Sequence, residues 1–367
     1  MENENPVAAE KKDVQKKIIE LKELNGNSKI TEEDFMSLIR TVSPGTNLRA
    51  ALEGIVKIGK GALIVVENEF TGEIIEGGFK LNCRFTPQRL MELSKMDGAI
   101  ILSKDMKKIM QANVLLTPDS RIPTNETGTR HKAAERAAKM TGAVVIAVSE
   151  RKNEINLYFK NRRHTLVSSN ELLRKTNEQV QILEKQRELF EKYRDGLDRF
   201  ELQNYHTLHH AIKLIQKGLL IQKIAGDIQK LVIELGKEGS LLKTRLKELI
   251  KSVPEETNLT ITDYTKLDLK KSRTLLKSLN YDEILDEENI LKALAYESPL
   301  QHKPIRGWRM LNKTILTDAE IARLIKESGS LGKAINSNVG FYKEILGEER
   351  ANFFKEEIER IKLTHAY

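Results

Sequence analysis

The sequence predicts an α/β domain followed by an all-α region, and three observations carry that reading. Short β-branched apolar runs alternate with helical patterns as far as residue 165, the pattern of a mixed sheet covered by helices on both faces. Beyond that point strand signals stop, and Leu173, Val180, Leu183, Phe190 and Leu197 fall along one stripe of a long helix. A proline-bounded linker, Pro299 to Pro304, then precedes a tail that reads as several short helices. The division is an extension over residues 1–30, an α/β domain over 31–165, a helical spine over 166–298 and a final helical domain over 299–367.

Taken in order, residues 1–30 are polar and charged and read as a frayed, partly helical extension. Thr31-Glu32-Glu33-Asp34 opens the first helix, with Asp34 at the capping-box position, and Ser43-Pro44-Gly45-Thr46 breaks it. Ala62–Val66 and Glu73–Ile75 read as paired strands. Thr86 and Pro87 supply an N-cap and a first-turn proline for a helix over Gln88–Ser94. A strand at Ala99–Leu102, a helix from Arg130 to Met140, a turn at Thr141-Gly142, and strands at Ala143–Val148 and Ile155–Phe159 complete the domain. Helices follow over His206–Leu235 and Ser240–Ser252; Pro254 and Thr257–Asp263 interrupt, and short helices resume.

The 367 residues carry 61 Lys and Arg against 53 Asp and Glu, a net charge of +8, with 31% charged and 40% hydrophobic residues. Such a chain buries a core and keeps the wide solvated faces of amphipathic helices. Ten Phe, eight Tyr and one Trp are too few for base-stacking platforms to be the main binding mode. Cys83 is the one cysteine, which excludes an intramolecular disulfide and a Cys-rich zinc module and fits a reducing compartment. Apolar runs such as Ala143–Val148 fall far below the roughly 18 residues of a membrane span. Met1-Glu2-Asn3-Glu4-Asn5 lacks the basic and apolar regions of a signal peptide. A cytoplasmic protein without a membrane partner is expected.

Three motifs fail on inspection. Gly54-Ile55-Val56-Lys57-Ile58-Gly59-Lys60 matches a P-loop until its last position, where Gly61 replaces the magnesium-binding Ser or Thr. Gly61 also leads into a strand rather than a helix. His206, His209 and His210 share a helical spacing, but no carboxylate or cysteine completes a zinc set, so a surface or partly buried cluster is expected. Cys83 reads as a small core residue.

Two segments survive. In Met96-Asp97-Gly98-Ala99 an aspartate stands immediately before a buried strand, and the glycine lets a ligand approach the backbone. In Thr127-Gly128-Thr129-Arg130-His131-Lys132 a helix opens with three potentially cationic side chains. Cations there oppose the macrodipole, by roughly 0.3–1 kcal/mol each. A bound polyanion removes the conflict, because free N–H groups and Arg130, His131 and Lys132 then converge on one phosphate chain.

This pair closely resembles the two signatures of diadenylate cyclase domains, which condense two ATP into cyclic di-AMP. Gly77-Gly78-Phe79, Asn82-Cys83, Thr86-Pro87-Gln88-Arg89-Leu90, Asn113-Val114-Leu115-Leu116, Pro118-Asp119-Ser120 and Ala147-Val148-Ser149 also read as that family. Leu235-Gly236-Lys237-Glu238-Gly239, Asp263-Tyr264-Thr265-Lys266 and Arg306-Gly307-Trp308-Arg309 resemble members that place the cyclase before a helical spine and a helix-hairpin-helix DNA-binding domain.

The resemblance implies roles. Asp97 holds Mg²⁺ or Mn²⁺ and helps activate a 3′-hydroxyl, Gly98 admits the ribose, and Thr129, Arg130, His131 and Lys132 grip the phosphates. Leu116 lies against adenine and Ser149 touches phosphate. Because each ATP must present its 3′-hydroxyl to the other, two cyclase domains should meet face to face, and the family implies a homo-octamer. Lys303, Arg306, Arg309, Lys313 and Gly347 are the candidate contacts to branched or damaged DNA. The alternative is a catalytically weak DNA-binding scaffold that senses ATP or cyclic di-AMP. Two departures stand out: Lys132 replaces the family's second arginine and loses its planar fork. Ile345 replaces a hairpin glycine, with Glu348 and Glu349 following Gly347, so DNA binding should be weak and indifferent to sequence.

Overall fold

Thr31 caps the first helix, α1 (Glu32–Thr41), its hydroxyl oxygen accepting the Asp34 N–H at 3.1 Å. This is seen in a computed structural model that describes residues 31–205, 208–298 and 304–364. The extension over 1–30 therefore lies outside the described residues. The chain divides into two units, Met1–Arg174 with Val232–Ser240, and Lys175–Leu231 with Leu241–Tyr367.

The first unit is a mixed α/β domain. After α1 come α2 (Asn47–Lys57), β1 (Ala62–Val66), β2 (Ile75–Glu76), β3 (Phe79–Arg84), α3 (Pro87–Leu93), β4 (Ala99–Leu102) and β5 (Lys108–Leu116). They are followed by α4 (Thr129–Thr141), β6 (Val144–Val148), β7 (Ile155–Phe159) and β8 (Arg162–Leu166). The sheet order is β2-β5-β4-β1-β6-β7-β8, with β3 also paired to β5. Among the described residues only β1 and β4 run parallel; the other pairs are antiparallel.

The period-two alternation of strands divides the core between the two faces. Ile64, Ile100, Leu102, Ile146 and Leu157 pack on one face with Ile39, Leu52, Ile55 and Leu90 of the first three helices. Leu63, Val65, Ile101, Val145 and Ala147 pack on the other with Ala134, Ala137 and Ala138 of α4. Small residues on α4 let it lie close against its face. Thr86 caps α3 as expected, and Gly142 ends α4 at φ 67° in the left-handed conformation.

One expected pairing is corrected. Thr71–Ile74 is a 3₁₀ turn, and Ile75–Glu76 pairs with β5 rather than with β1. Both edges of β1 are already occupied, by β4 and β6. Helix α2 and strands β3, β5 and β8 are additions to the elements expected from the sequence. In β5 and β8 polar residues break up the apolar pattern, because both strands have exposed positions.

Beyond residue 166 every described element is helical. The 34-residue α5 (Ser169–Leu202) buries Val180, Leu183, Phe190 and Leu197, while Leu172 rather than Leu173 takes the buried place near its start. Next come α6 (Leu208–Leu235), α7 (Ser240–Ile250), α8 (Val253–Tyr264), α9 (Leu269–Ser278), α10 (Tyr281–Leu285) and α11 (Glu287–Ala293). Pro254 and Thr257–Asp263 do not interrupt the helices: they form α8, with the proline in a first turn where its missing N–H costs nothing. The tail holds α12 (Trp308–Leu311), α13 (Asp318–Ser328), α14 (Leu331–Asn336), α15 (Val339–Leu346) and α16 (Glu348–Thr364).

Candidate active site

Strand register brings the two sequence signatures to one end of the sheet. Ile64 lies opposite Ile100 in the parallel β1–β4 pair, and Ala62 lies opposite Val148 in the antiparallel β1–β6 pair. Ala99 pairs with Val114. The starts of β1 and β4 therefore share an end with the finishes of β5 and β6. Gly61, Asp97-Gly98, Leu116 and Ser149 stand there together, and α4, which runs back along β6, opens at the same end.

Asp97 and Gly98 are exposed, immediately before buried Ala99. Gly98 adopts φ 87°, and a Cβ on it would stand 2.9 Å from the Asn113 carbonyl carbon and 2.9 Å from the Val114 carbonyl oxygen. Gly78, at φ 76°, presses on the same strand, with the Ala112 carbonyl oxygen 2.7 Å from a notional Cβ. Asn113 itself has φ 55°, where the β4–β5 register shifts. Two glycines and a strand irregularity thus set the Asp97 turn. Leu116 is half-buried, opposite Ile75, and packs against the α4-side core.

Helix α4 begins at Thr129 after Gly128, with no side-chain cap and no acidic residue in its first turn. Arg130, His131 and Lys132 are half-buried, and neither Arg130 nor Lys132 has an ion-pair partner among the described residues. Burial holds the His131 imidazole below its ordinary value; Glu126 and Glu154 pull it up, while Arg163 and Arg130 push it down. The arrangement is an electropositive helix start with open N–H groups, suited to a phosphate chain. Ser149 turns the β6–β7 hairpin: its hydroxyl accepts the Lys152 N–H at 3.2 Å and its own N–H donates to Glu154 at 2.8 Å.

The loop before α4 is pinned by polar groups that the sequence reading passed over. Arg136 Nε donates to the Ile122 carbonyl at 3.0 Å, Lys139 to the Pro123 carbonyl at 2.9 Å, and the Thr124 hydroxyl donates to Glu135. Buried Tyr158 donates its hydroxyl to Glu126 at 2.8 Å, and Arg163 pairs with the same carboxylate at 2.9 Å. Burial and Glu126 push the Tyr158 hydroxyl pKa far up, so it stays a donor. A tyrosine hydroxyl within a mostly apolar strand was the one sequence signal for this contact.

The donor set fits one kind of metal. No group of three or more His, Cys, Asp or Glu side chains capable of holding an ion occurs among the described residues. Magnesium or manganese bound through one exposed carboxylate and nucleotide phosphates needs no such cage, and Asp97 offers that carboxylate.

The tail behaves differently from expectation. Arg309 is fully buried, its Nη1 2.6 Å from Asp198 and 2.7 Å from Glu256, and its Nη2 2.6 Å from Glu201. Its charge is matched inside the second unit, which corrects its assignment to DNA. Lys313 pairs with Asp198 at 2.5 Å, and Arg306, half-buried, donates to the Thr262 carbonyl at 3.3 Å. Asp263 accepts the N–H groups of Gly307, Trp308 and Arg309 at 2.8–2.9 Å. Burial and Glu201 push the Asp263 carboxyl up to about 7 against those donors. Gly347 forms a one-residue turn between α15 and α16 at φ 84°, but its N–H already donates to the Lys343 carbonyl at 3.0 Å. Lys343 in turn pairs with Glu348. Lys303 lies outside the described residues.

The motifs set aside stay aside. Gly54 lies inside α2, against Met91, rather than in a phosphate loop. His210 meets Phe200 in a tilted and Tyr193 in an edge-on ring contact, and His209 lies 3.6 Å from Glu287; His206 is outside the described residues. Cys83 is partly buried against the core.

Comparison with known proteins shows the family. The family model "DisA bacterial checkpoint controller nucleotide-binding" matches residues 49–163, and "DisA bacterial checkpoint controller linker region" matches residues 166–302. The DNA integrity scanning protein DisA of Bacillus subtilis is 38% identical over 345 residues, 91% of this chain and 96% of that protein. Its namesake in Acetivibrio thermocellus is 35% identical over 350 residues, covering 92% and 97%. A solved structure of DacA from Staphylococcus aureus aligns at 28% identity over 39% of this chain and 95% of that one, with a TM-score of 0.30. No helix among the described residues is long and apolar enough to cross a membrane.

Proposed function

This chain belongs to the family of the DNA integrity scanning protein DisA, and from that membership we propose that it is a diadenylate cyclase that joins two ATP into cyclic di-AMP. The observation that carries the reading is the shared sheet end: the Asp97-Gly98 turn and the uncapped basic start of α4 face one region. In the reaction each 3′-hydroxyl oxygen forms a bond to the α-phosphorus of the other ATP. Each departing pyrophosphate takes the electrons of its broken P–O bond, and the hydroxyl protons are released. Two cyclase domains meet face to face, within an octamer, since one domain holding one ATP has no acceptor.

Asp97 accepts the hydrogen bond of the attacking hydroxyl and would be the protein's ligand to Mg²⁺ or Mn²⁺. Such an ion, when bound, neutralises triphosphate charge. Gly98, without a side chain, leaves space for the ribose. Thr129, Arg130, His131 and Lys132, with the first N–H groups of α4, hold the phosphates and meet the charge that develops on the leaving group. Leu116 flanks adenine, and Ser149 contacts phosphate. Lys132 supplies one point contact where arginine would supply two.

The tail binds branched or damaged DNA weakly and without regard to sequence, and occupancy lowers cyclase output. Arg309 takes no part in that contact. 3′-Deoxy-ATP tests the chemistry, because it keeps the triphosphate and lacks the nucleophile. It should bind in competition with ATP and yield no cyclic dinucleotide. Turnover of 3′-deoxy-ATP to the same class of product would overturn the proposal.

A further inference from the structure

Gly61, the residue that spoils the P-loop match, lies under the guanidinium of Arg130. A Cβ built on Gly61 would stand 2.2 Å from Arg130 Nη1, 3.0 Å from its Cζ and 3.2 Å from the Val148 carbonyl oxygen. The guanidinium is the closest neighbour, and the Val148 carbonyl is a milder contact behind it. The backbone of Gly61 is not in the left-handed region, so conformation does not demand glycine here. Space does, and the Arg130 guanidinium occupies that space.

We propose that Gly61 is a positioning residue that seats Arg130 for the phosphate chain. Arg130 has no ion-pair partner among the described residues to fix its head. Its guanidinium is located instead by the flat floor of Gly61, at the start of β1, beside the end of β6. An added methyl group requires the guanidinium to move by about 1 Å to reach an ordinary contact. Displacements of that size can cost about a hundredfold in rate. Most of the movement falls on the far end of a flexible side chain, and the Val148 carbonyl oxygen has to give by only a few tenths of an ångström. The loop before Ala62 thus serves the phosphate site without providing a phosphate cradle of its own.

This inference rests on the reading of Arg130 as a phosphate ligand, and a double-mutant cycle separates the two. Gly61→Ala, Arg130→Ala and the double variant would be compared in ATP binding, in kcat/KM for cyclic di-AMP and in melting temperature. Gly61→Ala should lose about tenfold to a hundredfold in kcat/KM, with weaker ATP binding and wild-type melting. In the Arg130→Ala background the same change should cost nothing further. In an Arg130→Lys background it should cost less than in the wild type, because a lysine head can pass beside the methyl group. Wild-type kinetics in Gly61→Ala alongside a damaged Arg130→Ala would overturn the inference and leave the reading of Arg130 intact. Additive losses, or a large fall in melting temperature, would make Gly61 a packing residue and also overturn it. A harmless Arg130→Ala would remove the underlying reading instead.

Discussion

Gly98 and Asn113 meet backbone to backbone: a Cβ on Gly98 would lie 2.9 Å from the carbonyl carbon of Asn113 and 3.0 Å from its Cα. The contact ties the turn that carries Asp97 to the irregular part of β5, three residues before Leu116. Gly98→Ala should therefore displace the Asp97 turn as well as strain φ 87°, at a cost of about 1–3 kcal/mol. Chemical unfolding would read the stability loss, and product formation should fall more steeply than the folded fraction.

Asp97→Asn keeps the shape of the side chain and removes its charge. Cyclic di-AMP production should fall at least about a hundredfold, while the melting temperature stays near that of the wild type, since Asp97 is exposed before the strand. Near-normal turnover would take Asp97 out of the mechanism.

His131 gives the site a pH dependence with a definite sign. Its pKa in the empty protein lies below the ordinary 6.5, first because of burial. Unfolded chains take up that proton earlier, so its contribution to stability is present above pH 6.5 and declines as pH falls through the depressed value. A bound triphosphate favours the charged form, so ATP binding should take up protons below pH 6.5 and tighten as pH drops. Calorimetry in buffers of different ionisation enthalpy would read the uptake. His131→Ala should abolish it, and an unchanged proton count in that variant would assign the uptake elsewhere.

Arg309→Ala leaves Glu201 fully buried without its counter-charge and leaves buried Asp198 with Lys313 as its remaining cationic partner. The second unit should lose about 3–5 kcal/mol, visible as a lower midpoint in denaturant. A stable variant whose DNA binding alone is lost would contradict the burial of Arg309 and return it to the surface.

DNA binding by the tail should be weak and should fall steeply with salt as counterions are released. Titrating duplex and four-way-junction DNA at low and moderate salt measures it. Restoring a glycine with Ile345→Gly should not by itself strengthen binding, because the Gly347 N–H is already engaged by Lys343. No binding at about 50 mM salt would make the tail a structural cap.

Much of the α/β order was legible because it is written locally. Thr31 and Thr86 cap the helices they precede, and the buried runs Ala62–Val66 and Ala99–Leu102 are central strands. The basic start of α4 was legible for the opposite reason: Arg130, His131 and Lys132 contradict the helix dipole. What escaped depends on pairings distant in sequence. Nothing near Glu73–Ile75 says that β1 has no free edge, and nothing near Arg309 reveals carboxylates from α5 and α8 closing around it. Gly61 could be read as a failed motif, but its neighbour Arg130 lies 69 positions further along the chain and comes beside it only through the β1–β6 pairing.

The most direct measurement is identification of the product when the purified chain receives ATP and Mg²⁺ or Mn²⁺ as its only reactants. Mass spectrometry should find cyclic di-AMP, with two pyrophosphates released for each, and Asp97→Asn should leave ATP unconsumed under the same conditions. ATP that stays intact with the wild-type chain, or is converted only to ADP, AMP or a linear dinucleotide, would contradict the account.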